Sequence, residues 1–194
     1  MKNMSKQKKK KRKAYDGFYN KCVKRALDIV ITGIALLILW PFYLILSLAV
    51  IAEDGFPVFY RADRGGYQNK PFKICKFRSM VKNADKIGGG TTALNDPRIT
   101  KIGNILRKTK LDEIPQLGQV FLGKMSLIGP RPELLRYTNL YEGQEKDILK
   151  VRPGITDFSS VEFINLDEIV GGENADEMYD IVTWFYKKYG VGKF

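Results

Sequence analysis

Leu111-Asp112-Glu113-Ile114-Pro115 sets two carboxylates side by side ahead of a proline, in a chain of 194 residues that has no histidine. The missing imidazole excludes Ser-His-Asp and Cys-His catalysis and any histidine-bound metal. What is left is chemistry by carboxylate, lysine, arginine or tyrosine, or by a hard cation held through oxygen. A carboxylate can act as a covalent nucleophile toward phosphorus. The same residues admit a plainer role, with Asp112 as a helix N-cap and Glu113 as a first-turn acid. Pro115 is tolerable in a first turn. An N-cap carboxylate bonds free backbone N–H groups and feels the positive helix end, so on that reading Asp112 stays ionised.

A phosphate-directed site also needs cations. In Met125-Ser126-Leu127-Ile128-Gly129-Pro130-Arg131-Pro132-Glu133, two prolines bracket Arg131 and hold the backbone around it. An arginine in such a frame suits bidentate grip of a phosphate; the alternative is a rigid turn with an incidental surface arginine. Arg152-Pro153-Gly154 repeats the idea more weakly. Gly88-Gly89-Gly90 is not followed by Gly-Lys-Ser/Thr, so it reads as a flexible loop and not as a phosphate cradle. Cys22 and Cys75 form no framework and suggest a reducing compartment.

The elements that must position these residues are short. Thr100 can cap a helix through about Lys108, with Ile102, Ile105 and Leu106 on one face. A second amphipathic helix follows the carboxylates, with Ile114, Leu117, Val120 and Phe121 in register. Pro57–Ala62 and Phe72–Phe77 read as strands around the turn-rich Arg64–Asn69, which suggests a small hairpin.

Ahead of them lies an apolar run. Ile29–Ala52 holds 24 residues without a charge, and about 20 such residues span a bilayer core. Pro41 sits near its middle, where it removes a helical hydrogen bond and clashes with the carbonyl of Leu37. The halves are each about 16–18 Å long as helix, too short to cross alone. Lys21, Lys24 and Arg25 precede the run, and Arg61, Arg64, Lys70, Lys73 and Lys76 follow it. Basic flanks mark the cytoplasmic side, and here both flanks are basic. A helix that enters, breaks at Pro41 and returns satisfies both observations; a kinked span is the alternative. Asp28, at the apolar boundary, is expected to pair with Lys24 and Arg25 in a structural role.

Charge is unevenly placed. Residues 1–13 carry eight basic side chains and no acid, and without them the net charge of +12 falls to +4. Such a run is either a solvated arm or an electrostatic contact, worth roughly 1 kcal/mol per basic residue near an anionic membrane. Nucleic acid is not expected, because the charge is concentrated in this tail and no nucleic-acid motif accompanies it. Eight acids and no base lie between Asp157 and Asp180, which reads as a solvated region. Thr183–Tyr189 mixes aromatic and basic residues, suited to a membrane interface or to a terminal core helix.

Several stretches, taken in order, resemble the bacterial sugar transferase family, the small monotopic phosphoglycosyl transferases. The matching pieces are Lys24-Arg25-Ala26-Leu27-Asp28 opening an apolar helix with a central proline, then Lys76-Phe77-Arg78-Ser79-Met80. Asp96-Pro97-Arg98-Ile99-Thr100-Lys101-Ile102-Gly103, Leu106-Arg107-Lys108-Thr109 and Leu111–Leu117 follow. Met125–Glu133 and Val151-Arg152-Pro153-Gly154-Ile155-Thr156 complete a likeness over residues 21–157.

The resemblance implies a two-step reaction. Asp112 matches the nucleophile that attacks the β-phosphate of a UDP-sugar and releases UMP; polyprenyl phosphate then takes the sugar-phosphate from the aspartyl intermediate. Glu113 matches the acid that holds Mg²⁺, with Asp112 beside it. Arg107 and Arg131 match phosphate-contacting positions, and Arg152, Lys76 and Arg78 complete the expected phosphate-binding set.

The expected fold is α+β and helix-rich, a monotopic membrane protein with a Pro-broken re-entrant helix, a small β-hairpin and a cytosolic catalytic domain of short helices. The expected divisions are a basic tail (1–20), a re-entrant membrane helix (21–55), a catalytic domain (56–170) and a C-terminal amphipathic helix (171–194). The expected place is the cytoplasmic face of the bacterial inner membrane, at the first membrane step of glycan synthesis. Expected partners are a UDP-sugar, polyprenyl phosphate and phospholipid, with a homodimer left open. Two other readings remain: a membrane adaptor using its polybasic tail, and a direct glycosyltransferase releasing UDP.

Overall fold

A computed structural model describes residues 17–87, 96–143 and 145–157. The basic tail, Gly88–Gly90, the acidic and aromatic stretches beyond Asp157 and the expected C-terminal helix lie outside the described residues.

The first large element is helix α1, Lys24–Asp54, entered through a π-helical turn at Tyr19–Val23. It is a single helix of 31 residues with Pro41 inside, so the two separate helices expected on either side of the proline are not separate elements. The correction has a simple cause. Proline withholds one N–H from the ladder, and the remaining bonds of a long helix carry the turn across the gap.

The ends of α1 are polar and both are tied to the same body. At the start, Asp28 is buried and accepts from Ser126 Oγ at 2.8 Å and from Leu127 N at 3.1 Å. Lys24 lies 3.9 Å from that carboxylate and also donates to Ser126 Oγ. Arg25, expected to join this pair, instead donates to the carbonyls of Val120 and Phe121 at 2.6 and 2.7 Å. At the far end, Glu53 accepts from the backbone N–H of Lys101 and Ile102 at 2.7 and 2.8 Å. Arg78 donates to the carbonyls of Asp54 and Gly55. These are the orphan groups that helix termini leave open.

Between these clamps the helix faces outward. Leu37 is 77% exposed, and Ile38, Trp40, Phe42 and Ile45 are all more than half exposed.

The body is built of short pieces. Strands β1 (Phe59–Gly65) and β2 (Pro71–Phe77) form an antiparallel hairpin with Tyr60 opposite Lys76. The turn between them carries Gln68 and Asn69 at φ 57°. Helix α2 (Lys101–Lys108) begins as expected, with Thr100 Oγ1 accepting from Gly103 N at 2.9 Å. Helix α3 spans Gln116–Phe121. A second, parallel pair joins β3 (Ser126–Ile128) to β4 (Gly154–Thr156). It brings Gly129 and Gly154 so close that a Cβ on Gly154 would lie 2.2 Å from Gly129 N.

Two apolar clusters hold the pieces. Val50 of α1 packs with Val58, Phe77 and Leu106, while Ile74, Val120 and Met125 join the hairpin to α3 and β3. Gln119 stitches the same seam, accepting from Cys75 N at 2.9 Å and donating to Lys73 O at 2.6 Å along the free edge of β2.

Two glycines test this packing. A Cβ at Gly103 would sit 1.9 Å from Ser79 O, whereas one at Gly118 meets nothing within 4 Å. Gly103→Ala is expected to destabilise the chain toward the upper end of the roughly 1–3 kcal/mol typical of overpacking. Gly118→Ala should raise stability by about 0.5–1 kcal/mol through helix propensity. Thermal unfolding of both variants in detergent measures the contrast.

Candidate active site

Helix α2 ends where Lys110 takes a left-handed conformation, φ 57° and ψ 16°. That reversal starts a 3₁₀ turn, Leu111–Glu113, and Leu111 anchors it by packing on the Val50–Phe77–Leu106 cluster. Pro115 then caps α3. The carboxylates thus stand on a tight turn pinned at both sides. Asp112 is not an N-cap: the helix begins later, at Gln116, and Asp112 belongs to the turn before it.

Cations converge on this turn from separate elements. Lys76 of β2 donates to Glu113 Oε1 at 2.6 Å and lies 4.0 Å from Asp112 Oδ2. Arg131 donates to the same Glu113 oxygen at 3.0 Å. The Asp112 side chain is 10% exposed and Glu113 13%, while Arg131 is half exposed. One carboxylate therefore holds both close contacts, and the other holds neither.

Their acidities split accordingly. Burial is the largest influence on Glu113 and pushes it up, but Lys76 and Arg131 together override it and hold the group at about 2. Asp112 moves the other way. Burial raises it, Lys76 opposes, the neighbouring Glu113 charge raises it further, and Arg107 and Lys110 pull it back without winning. The expected N-cap role does not apply, because the N-cap of α3 is Pro115 and Asp112 lies in the turn before it.

Of the cations expected at phosphate, Lys76, Arg131 and Arg107 act on the carboxylate pair. Arg78 does not. Its guanidinium is buried on the end of α1, 3.2 Å from the Asp54 carboxylate. Arg152 donates to Gly123 O at 2.9 Å and lies over the Tyr67 ring, so it braces the β3–β4 region. Both placements have one cause: a long basic side chain is claimed by whichever carbonyl or carboxylate the fold brings near.

Sequence reasoning missed Tyr43, which donates to Ile114 O at 2.5 Å, two residues from Asp112. The available signal is a hydroxyl close to the middle of the apolar run. Gln119 carried none.

Among the described residues no group of three His, Cys, Asp or Glu could cage a metal. Adjacent Asp112 and Glu113 do match what Mg²⁺ takes, one or two carboxylates with water and substrate phosphate filling the rest.

Comparison with known proteins gives a consistent picture. The family model described as bacterial sugar transferase matches residues 19–190. The UDP-glucose:undecaprenyl-phosphate glucose-1-phosphate transferase of Escherichia coli K12 is 42% identical over 146 residues, 73% of this chain and 31% of that protein. Exopolysaccharide production protein ExoY of Rhizobium meliloti is 36% identical, over 69% of this chain and 66% of that protein. The UDP-N-acetylgalactosamine-undecaprenyl-phosphate N-acetylgalactosaminephosphotransferase of Aeromonas hydrophila is 35% identical, over 72% of this chain and 34% of its own length. The chain thus spans about a third of the Escherichia and Aeromonas proteins.

The split acidity is open to direct measurement. Glu113 titrates below its ordinary value of 4.5, so its stabilising pairs are complete above that value and lost as pH falls toward 2. Lys76→Met removes a cation from both carboxylates, so both should titrate at higher pH. Carboxyl ¹³C NMR titration of labelled protein follows each group; an unmoved Glu113 would contradict the pairing.

Proposed function

Because the chain belongs to the bacterial sugar transferase family, we propose that it moves a sugar-1-phosphate from a UDP-sugar to a membrane polyprenyl phosphate. The reading is supported by relatives named for undecaprenyl-phosphate sugar-phosphate transfer and for exopolysaccharide production. The observation that carries it is the desolvated Asp112–Glu113 pair, met by Lys76 and Arg131 on a body tied to both ends of an apolar helix.

In the first step a carboxylate oxygen of Asp112 attacks the β-phosphorus of the donor. The bond from that phosphorus to the bridging oxygen breaks, and UMP leaves with the electron pair. In the second, a phosphate oxygen of polyprenyl phosphate attacks the aspartyl phosphorus, and the Asp112 carboxylate leaves. The choice of Asp112 over Glu113 is supported by their contacts: among the described residues the cation nearest to Asp112 is Lys76 at 4.0 Å, while Glu113 Oε1 is held at 2.6 and 3.0 Å. A carboxylate with fewer close partners has less solvation to shed on attack.

Phosphoryl transfer depends on positioning and charge neutralisation, which suits a site without histidine. Lys76, Arg131 and Arg107 bring positive charge to the diphosphate. Glu113 and Asp112 would hold Mg²⁺, which when bound supplies further neutralisation of the donor phosphates.

Where α1 is tied supports a re-entrant membrane geometry. At about 46 Å it is long enough to cross a bilayer core of about 30 Å. A crossing would put its two clamps on opposite sides of the membrane, yet both bind one body. On this reading the helix dips into one leaflet with its exposed middle in hydrocarbon and returns, on the cytoplasmic face that its basic flanks favour. The basic tail adds attraction to anionic lipid.

Purified chain with Mg²⁺, undecaprenyl phosphate and a panel of UDP-sugars is expected to release UMP. Asp112→Asn should lower that release by roughly 10⁴-fold or more. Release of UDP in place of UMP, or near-normal turnover by the variant, overturns the reading. Topology has its own check in a Cys75→Ala background: native Cys22, which is exposed, and a cysteine placed at Lys70 should both be labelled from the cytoplasmic side. Labelling of one flank only from outside rejects the re-entrant helix.

A further inference from the structure

Between Gly33 and Leu46 the apolar helix carries one hydroxyl, that of Tyr43. Hydroxyls in a helix facing hydrocarbon usually fall back on the helix's own carbonyls. Thr32 and Ser47 do so, donating to Asp28 O at 2.5 Å and to Tyr43 O at 2.6 Å. Tyr43 reaches across instead. Its Oη donates to Ile114 O at 2.5 Å, and its ring lies 5.8 Å from that of Phe77. Its neighbours Phe42, Leu44 and Ile45 are more than half exposed. Tyr43 is thus where the middle of the helix meets the catalytic turn, two residues from Asp112.

We propose that Tyr43 is a positioning residue that sets the height of the Asp112 turn against the membrane helix, and that it serves the lipid step more than the donor step. The inference rests on the two-step reading above. A UDP-sugar is water-soluble and reaches Asp112 from the aqueous side, where Lys76 and Arg131 hold Glu113 by contacts that do not use the Tyr43 hydroxyl. Polyprenyl phosphate is held in the membrane. Its phosphate oxygen must meet the aspartyl phosphorus at a depth fixed by the lipid, and a small displacement of the turn along that axis misaligns the attack. The Tyr43–Ile114 bond is the direct polar link between that axis and the turn.

The test uses the full chain in phospholipid nanodiscs, with the UDP-sugar that gives the largest UMP release. The donor step is read as the burst of UMP without acceptor, one per chain. The lipid step is read as the rate at which added undecaprenyl phosphate discharges the labelled sugar-phosphate adduct. Tyr43→Phe keeps the ring and removes the bond. It should leave the burst rate within about twofold and slow discharge about tenfold. Ser47→Ala, which loses a bond internal to the helix, should leave both rates unchanged. Parallel slowing of both steps by Tyr43→Phe, or unchanged discharge, overturns the Tyr43 assignment alone. A wild-type chain with no UMP burst overturns the two-step reading and this inference with it.

Discussion

Two neighbouring carboxylates on one tight turn, both largely out of water, cannot both stay charged unless cations come to them. Much of the body is arranged around that requirement. The hairpin delivers Lys76, the Pro-Arg-Pro segment after β3 delivers Arg131, and α2 delivers Arg107. Delivery is unequal, because one oxygen of Glu113 takes both short contacts while Asp112 is left at 4.0 Å. The outcome is a firmly anchored anion beside a less stabilised one. Pairs of acids pushed apart in this way are how a site assigns different roles to chemically similar groups.

The apolar helix answers a second constraint: under the proposed reaction the site must sit where a lipid phosphate can reach it. Its clamps are polar and its middle is not. Lys24, Arg25 and Asp28 hold one end to α3 and β3, while Glu53 and Asp54 hold the other to α2 and Arg78. An exposed apolar surface of that extent in water would be a liability; under the proposed re-entrant geometry it anchors the body in a leaflet. Pro41 costs the helix one backbone bond, and α1 tolerates that loss as one continuous element.

Some of this was legible before any coordinates. The carboxylate pair is contiguous in sequence, the prolines around Arg131 announce a fixed loop, and Thr100 stands where a cap belongs. The turn-rich Arg64–Asn69 between two strand-like runs marks the hairpin, whose strands differ from expectation by a few residues. Other residues take places the sequence does not announce, for identifiable reasons. Placing Asp112 at an N-cap required α3 to begin earlier than Gln116. Arg78 and Arg152 matched a phosphate-binding pattern but bond helix-end and loop carbonyls, because their side chains are long enough to reach them. Asp28 has the structural role its place at the apolar boundary suggests, with Ser126 and Leu127 as partners that lie far along the chain.

By itself the sequence determined the local chemistry: a histidine-free carboxylate site, short elements with their caps and turns, and one apolar segment interrupted by proline. These follow from backbone preferences and side-chain patterning that act over a few residues. Tertiary structure alone decided which cations meet which carboxylate, that Asp112 is the less stabilised member, and that both ends of the apolar helix grip one body. Those outcomes depend on charges and hydrogen-bonding groups separated by 37 residues for Lys76 and Glu113, 18 for Arg131 and Glu113, and 98 for Ser126 and Asp28. Such pairs acquire their energies only once folding has closed the distance and removed the water between them.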